Sequence, residues 1–166
     1  MRRDVGQCMR LGSHGVVLGA LDRHGQADLA TMRVLSQVAG SLGVTFHRAL
    51  DVSAAPSHVL GCERVPTSGG RASAPEASDA IAALVRQAGV RISIMSGAGV
   101  SERSECTVLA LRAHTGAHAF VVSSRGPVAA QMHAPHAYIS DLGSDHQRTD
   151  VARVRRILRL LYETAA

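Results

Sequence analysis

Residues 15–50 read GVVLGALDRHGQADLATMRVLSQVAGSLGVTFHRAL, and this stretch decides the fold class. Its two ends, 15–21 (GVVLGAL) and 44–50 (VTFHRAL), are short apolar runs of the kind that form strands. Between them Leu29, Met32, Leu35, Val38 and Leu42 recur at helical spacing. Strand, helix, strand, with both strands largely apolar, is the pattern of a parallel βαβ unit. The rhythm continues through 64–68 (RVPTS), 91–95 (RISIM) and 119–123 (AFVVS), with a second apolar stripe of Ile81, Leu84, Val85 and Ala88 before the fourth run. Ser101, followed by Glu102 and Glu105, reads as the N-cap of the next helix. The expected fold class is therefore α/β, a parallel sheet covered by helices.

Two stretches interrupt the pattern. Only residues 51–63 separate the second and third runs, room for one or two helical turns in a crossover. Pro66 sits inside the third run, where it removes a ladder donor and suits an edge or irregular strand. Residues 125–150 read as a long loop carrying His133, His136 and His146.

Composition narrows the classes. The chain has 166 residues, 46% hydrophobic, enough for one domain over 1–166 with a core that needs neither disulfide nor structural metal. Cys8, Cys62 and Cys106 are odd in number, far apart and without CxxC spacing, against both a secreted disulfide framework and a zinc module. The longest apolar run is far short of the ~18 residues of a membrane span, and the opening MRRDVGQCMR lacks a signal-peptide apolar region. The expectations are a soluble, cytoplasmic protein with no membrane partner. The formal charge is +5, carried by arginine alone, since the chain has no lysine. Its aromatics are only Phe46, Phe120, Tyr138 and Tyr162, too few for nucleic-acid stacking platforms, so no nucleic-acid partner is expected. Arg153, Arg155, Arg156 and Arg159 read as the solvated face of a terminal helix whose apolar stripe is Val151, Val154, Ile157, Leu158 and Leu161.

Ligands of parallel α/β proteins bind beyond the C-terminal ends of the strands. Here those ends carry His47, Arg48 and Asp51 after the second run, and Thr67, Ser68, Gly69 and Gly70 after the third. Ser96, Gly97 and Gly99 follow the fourth, and Ser123 and Arg125 the fifth. Glycines let the backbone approach a ligand, and consecutive N–H groups cup an anion. An anion or phosphate site is thus expected at Thr67, Ser68, Gly69, Gly97, Gly99, Ser123 and Arg125, with His47, Arg48 and Asp51 as catalytic candidates; the bland alternative is that the glycines merely turn the chain. Strand alternation puts Thr45, His47 and Ala49 on one face, where His47 is either a general base or ligand, or a hydrogen-bonded interior residue. His133 and His136 have a metal-pair spacing that Pro135 weakens by disfavouring helix at Ala134.

Together, GVVLGAL, VTFHRALD (44–51), ERVPTSGG (63–70), ISIMSGAGV (92–100) and the Thr149-Asp150 pair before the last helix resemble the CutC copper homeostasis family, in that order. The resemblance implies a TIM-type (β/α)8 barrel in the cytoplasm, associated with copper handling, with copper, as Cu(I), the implied metal. In that family a motif M-x-x-D-[IV] followed by G-A-D-G-V-V precedes the fourth strand. Met1, Asp4, Val5, Gly12, Gly15, Val16 and Val17 fit it, so Met1 matches an internal methionine. The five runs then become family strands four to eight: a partial barrel of about five βα units, truncated at its N-terminus, without the family's Cu(I)-ligand cysteines. Pro66 replaces a family leucine, and Val121 stands where the family has a histidine.

Such barrels usually run to about 250 residues. A barrel piece leaves two strand edges open, so homo-oligomerisation through them is expected, with reduced or lost activity. The metal ligands are left unassigned. The alternative function is a TIM-barrel enzyme or binding protein for a phosphorylated small molecule, using the strand-end glycines and His47.

Overall fold

The computed structural model describes residues 1–53, 62–101, 105–128 and 146–163. In chain order these form α1 (Arg2–Arg10), β1 (Gly15–Leu18), α2 (Leu29–Ala39), β2 (Gly43–Phe46), a 3-10 turn (Arg48–Val52) and β3 (Arg64–Thr67). A second 3-10 turn (Ala74–Ala77) leads into α3 (Ser78–Ala88), β4 (Ser93–Ser101), α4 (Glu105–Thr115) and β5 (Ala119–Ser123). A ribbon of β6 (Arg125–Val128) and β7 (His146–Thr149) precedes α5 (Val151–Glu163).

The five main strands pair in parallel in the order β1-β2-β3-β4-β5. Spatial order equals chain order, so the sheet has no reversal point; it is built like the wall of a (β/α) barrel. One face is covered: Leu18, Val44, Phe46, Val65 and Ile94 are buried with Met32, Leu35, Ile81, Val108 and Leu111 of the helices. The other face is open, and Val17 and Val121 are exposed on it. Helix α2 shows how local sequence sets this up. Asp28 accepts from the Thr31 N–H at 3.0 Å as N-cap, Met32, Leu35 and Ala39 face the sheet, and Gly40 ends the helix at φ 58°.

The expected strands are present with shifted limits. GVVLGAL stops at Leu18, because Asp22 nucleates a turn by accepting from the N–H groups of His24 and Gln26. VTFHRAL stops at Phe46, because the backbone turns 3-10 at Arg48; the alternation that grouped Thr45, His47 and Ala49 ends with the strand. Pro66 is in a central strand rather than at an edge: β3 pairs with β4 from Arg64 to Thr67, but with β2 only through Thr45 opposite Arg64. AFVVS is a strand over its full length. RISIM becomes a strand through Ser101, so Gly97-Ala98-Gly99 is a bulged segment of β4 and not a turn. Ser101 ends β4, and the described part of α4 begins at Glu105; Glu102, part of the expected cap, lies outside the described residues. Part of 125–150 is the antiparallel ribbon, with Arg125 opposite Thr149 and Val128 opposite His146. His133 and His136 lie outside the described residues.

Ala98, at φ 70°, is the one non-glycine residue with positive φ among the described residues. A Cβ in the left-handed region costs roughly 1–2 kcal/mol. Ala98→Gly is expected to raise stability by about 0.5–1 kcal/mol in urea unfolding, the gain being trimmed by the freer unfolded chain. Gly69→Ala is expected to lower it by at least about 2 kcal/mol. Gly69 has φ 69°, and a Cβ there would meet the Ala77 Cβ at 2.6 Å.

Candidate functional site at the strand ends

His47, at the end of β2, caps the 3-10 turn: its Nδ1 accepts from the Ala49 N–H at 3.1 Å. An accepting Nδ1 places the ring proton on Nε2. The ring lies over Gly19, where a Cβ would come within 2.7 Å of Cε1, so glycine is needed there. Residues three apart eclipse in a 3-10 turn, which sets Arg48 beside Asp51; the Arg48 Nε donates to Asp51 Oδ2 at 2.8 Å.

Asp51 then reaches across to the end of β3. Its Oδ1 accepts from Thr67 Oγ1 at 2.5 Å, from the Ser68 N–H at 3.0 Å and from the Gly70 N–H at 3.4 Å. Ser68 Oγ lies 3.0 Å from Asp51 Oδ2 and 2.7 Å from the Arg71 carbonyl, and it accepts from Arg48 at 2.8 Å. A hydroxyl has one proton, and the shorter contact favours giving it to Arg71. Gly69 N–H donates to Thr67 Oγ1 at 2.9 Å. Thr67 and Ser68 are buried, and the Asp51 side chain is 8% exposed. Burial alone would raise the Asp51 pKa, but Thr67, Arg48 and the Ser68 amide together hold it below the ordinary carboxylate range.

The structure thus brings His47, Arg48, Asp51, Thr67, Ser68 and Gly69 together. The Ser68 and Gly69 amides expected to cup an anion, and the Gly70 amide beside them, are engaged by Asp51 and Thr67. A cavity of about 340 Å3 lies alongside, lined among others by Leu50, Asp51, Thr67, Gly69, Gly70 and Leu84. Gly97 and Gly99 are on the next strand but one from β2, Gly97 against Val121 and Gly99 against Ser73, whose Cβ a side chain at Gly99 would approach to 2.7 Å. Ser123 and Arg125 line a different cavity, beside α5. Sequence reading missed the Gly70 amide as an Asp51 donor and the packing need at Gly19. The R-x-x-D spacing was the available signal for the Arg48–Asp51 pair.

Among the described residues no group of three or more His, Cys, Asp or Glu side chains is placed to hold a metal ion. Cys8 is half-buried. Burial pushes the Cys62 thiol up to about 11, so it is protonated at neutral pH.

Because the folded pKa of Asp51 lies below its unfolded value of about 3.9, its stabilisation is complete above that value and is lost as pH falls through the folded pKa. Asp51→Asn turns an acceptor into a donor facing other donors. It is expected to cost about 3 kcal/mol at neutral pH and to flatten the acid side of the stability profile, read by urea unfolding across the acid range.

The chain has relatives in sequence and structure. The model of the CutC family matches residues 1–125. A family protein CutC of Xanthomonas axonopodis pv. citri (strain 306) is 67% identical over 169 residues, covering 98% of this chain and 69% of the relative. One from Xylella fastidiosa (strain 9a5c) is 56% identical, covering 98% of this chain and 62% of the relative. The crystal structure of a Streptococcus agalactiae CutC, named for copper homeostasis, superposes with a TM-score of 0.66 at 26% identity. That match covers 73% of this chain and 61% of the other. The five-stranded parallel sheet and its helices are thus part of a TIM-type (β/α)8 architecture, and the chain belongs to the CutC family.

Proposed function

We propose that this chain works in copper homeostasis, with the copper ion as its cargo. The observation that carries the reading is the family match over residues 1–125, joined to a likeness in fold to a CutC named for that role. Cu(I) prefers thiolate ligands. Cys62 is buried and its raised pKa makes loss of its proton to a metal harder, whereas the half-buried Cys8 is within reach of solvent. The match covers 61% of the Streptococcus protein, and the reading also takes in a reduced activity and a cytoplasmic location. It also includes self-association: the outer edges of β1 and β5 are unpaired among the described residues, next to the exposed Val17 and Val121.

A second reading, an enzyme or binding protein for a phosphorylated small molecule, is favoured by one observation. The Arg48 side chain is 52% exposed beside the buried Ser68, while His47 keeps an N–H at Nε2 for a ligand. On this reading a panel of phosphate esters raises the melting temperature and Arg48→Met removes the shift; a panel without effect overturns it.

Competition for Cu(I) against a chelator tests the first reading. Cys8→Ser is expected to lower uptake severalfold, while Cys62→Ser leaves it unchanged. Equal, weak uptake by wild type, Cys8→Ser, Cys62→Ser and Cys106→Ser rejects direct copper binding by this chain.

A further inference from the structure

A second cavity, of about 540 Å3, lies on the helix side of β5, between Phe120 and Val122 of the strand and Val154, Ile157, Leu158 and Leu161 of α5. Its volume is in the range of small-molecule pockets, and these walls are all apolar. It shares no residue with the Asp51 cluster.

Strand alternation decides which polar groups meet this slot. Phe120, Val122 and Ser124 share the covered side of β5 and its continuation, while the more exposed Val121, Ser123 and Arg125 share the other. Gly126 returns to the covered side and packs along the Arg153 guanidinium, so the Arg125 side chain is directed to the open face. Arg125 is the one charged residue bordering the cavity, and with its side chain turned away the slot holds no side-chain charge among the described residues. The end of α5 supplies none either. Asp150 accepts there from the N–H groups of Ala152 at 2.8 Å and Arg153 at 3.3 Å, so the positive end of the helix is occupied by its own acid.

One polar group is left facing the apolar walls. Ser124 borders the cavity and is 8% exposed, and its buried hydroxyl has no partner among the described residues. The residue is held against the start of α5 by its carbonyl, which accepts from the Asp150 N–H at 2.8 Å. A buried hydroxyl left unpaired is costly, and a ligand oxygen that accepts from it removes that cost. An ionic head group is disfavoured by the same surroundings, because it would shed its water beside apolar side chains with no counter-charge.

We propose that this cavity binds a small uncharged aliphatic molecule carrying one hydroxyl or carbonyl oxygen, of roughly six to ten carbons for a pocket of this class. The hydrocarbon lies between β5 and α5, and the oxygen accepts from the Ser124 hydroxyl. The site is separate from the copper and phosphate-ester readings, and its test involves neither ligand.

Octan-1-ol, octanoate and octylammonium titrated calorimetrically into the 166-residue protein provide that test, with methyl NMR to locate the bound molecule. Octanol is expected to bind at least tenfold tighter than either ion and to shift the methyl signals of Val122, Val154 and Ile157. Ser124→Ala removes a hydroxyl that has no partner, so it should leave the urea midpoint no lower than that of wild type while weakening octanol about fivefold, the worth of one neutral hydrogen bond. No binding of octanol, an ion that binds as tightly, methyl shifts confined to other parts of the protein, or an octanol affinity unchanged by Ser124→Ala each overturns the proposal.

Discussion

One carboxylate holds the C-terminal ends of two central strands together. Strands β2 and β3 share a single register pair, Thr45 with Arg64, so little backbone pairing joins them. Asp51 makes up for this from the side: carried on the 3-10 turn that follows β2, it gathers the Thr67 hydroxyl and the Ser68 and Gly70 amides at the end of β3. Removing a carboxylate from water is unfavourable, and only several well-placed donors, one of them the charged Arg48, reverse the sign. The price is that every partner becomes committed. Gly69 must turn with positive φ against Ala77, and Ser68 must be buried with its hydroxyl shared between Arg48 and Arg71.

This commitment decides what the strand ends can do. A Thr-Ser-Gly-Gly turn after a parallel strand offers a row of amides to an anion. In this chain that row faces Asp51, a built-in anion, and the groups left for an outside ligand are the outward side of Arg48 and the Nε2 proton of His47. The cavity beside α5 differs: there the helix N-terminus is filled by Asp150. The two regions share a sheet and no residues. The copper reading rests on family membership, and burial raises the Cys62 pKa.

Much of the fold could be read from residue order. The alternation of β-rich and helix-period segments gave the parallel sheet, and AFVVS was readable to its ends because apolar residues fill it and polar ones bound it. Pro66 is accommodated in a central strand because the lost donor is one bond of a ladder and β4 still pairs along the whole of β3, while the single pair with β2 is the irregularity it suited. The SGAG segment looked like a turn because glycines mark turns; the same left-handed freedom lets a strand bulge and continue. The ribbon of β6 and β7 was illegible, since RGPV and HQRT have no strand-like alternation and pair across a long separation in sequence. At the site, Arg48 and Asp51 stand out for their place at the end of a strand and within VTFHRALD, and they do meet. That the carboxylate would turn inward to the β3 end depends on a tertiary placement that no local pattern encodes.

The most direct measurement of the Asp51 clasp is an NMR titration that follows its side-chain carboxyl carbon together with the Ser68 and Gly70 amide protons. The structure predicts a midpoint below the ordinary carboxylate range, with both amides shifting at that same pH as their acceptor is protonated. A midpoint at or above about 4, the value of an unperturbed aspartate, with amides that do not respond, would contradict it.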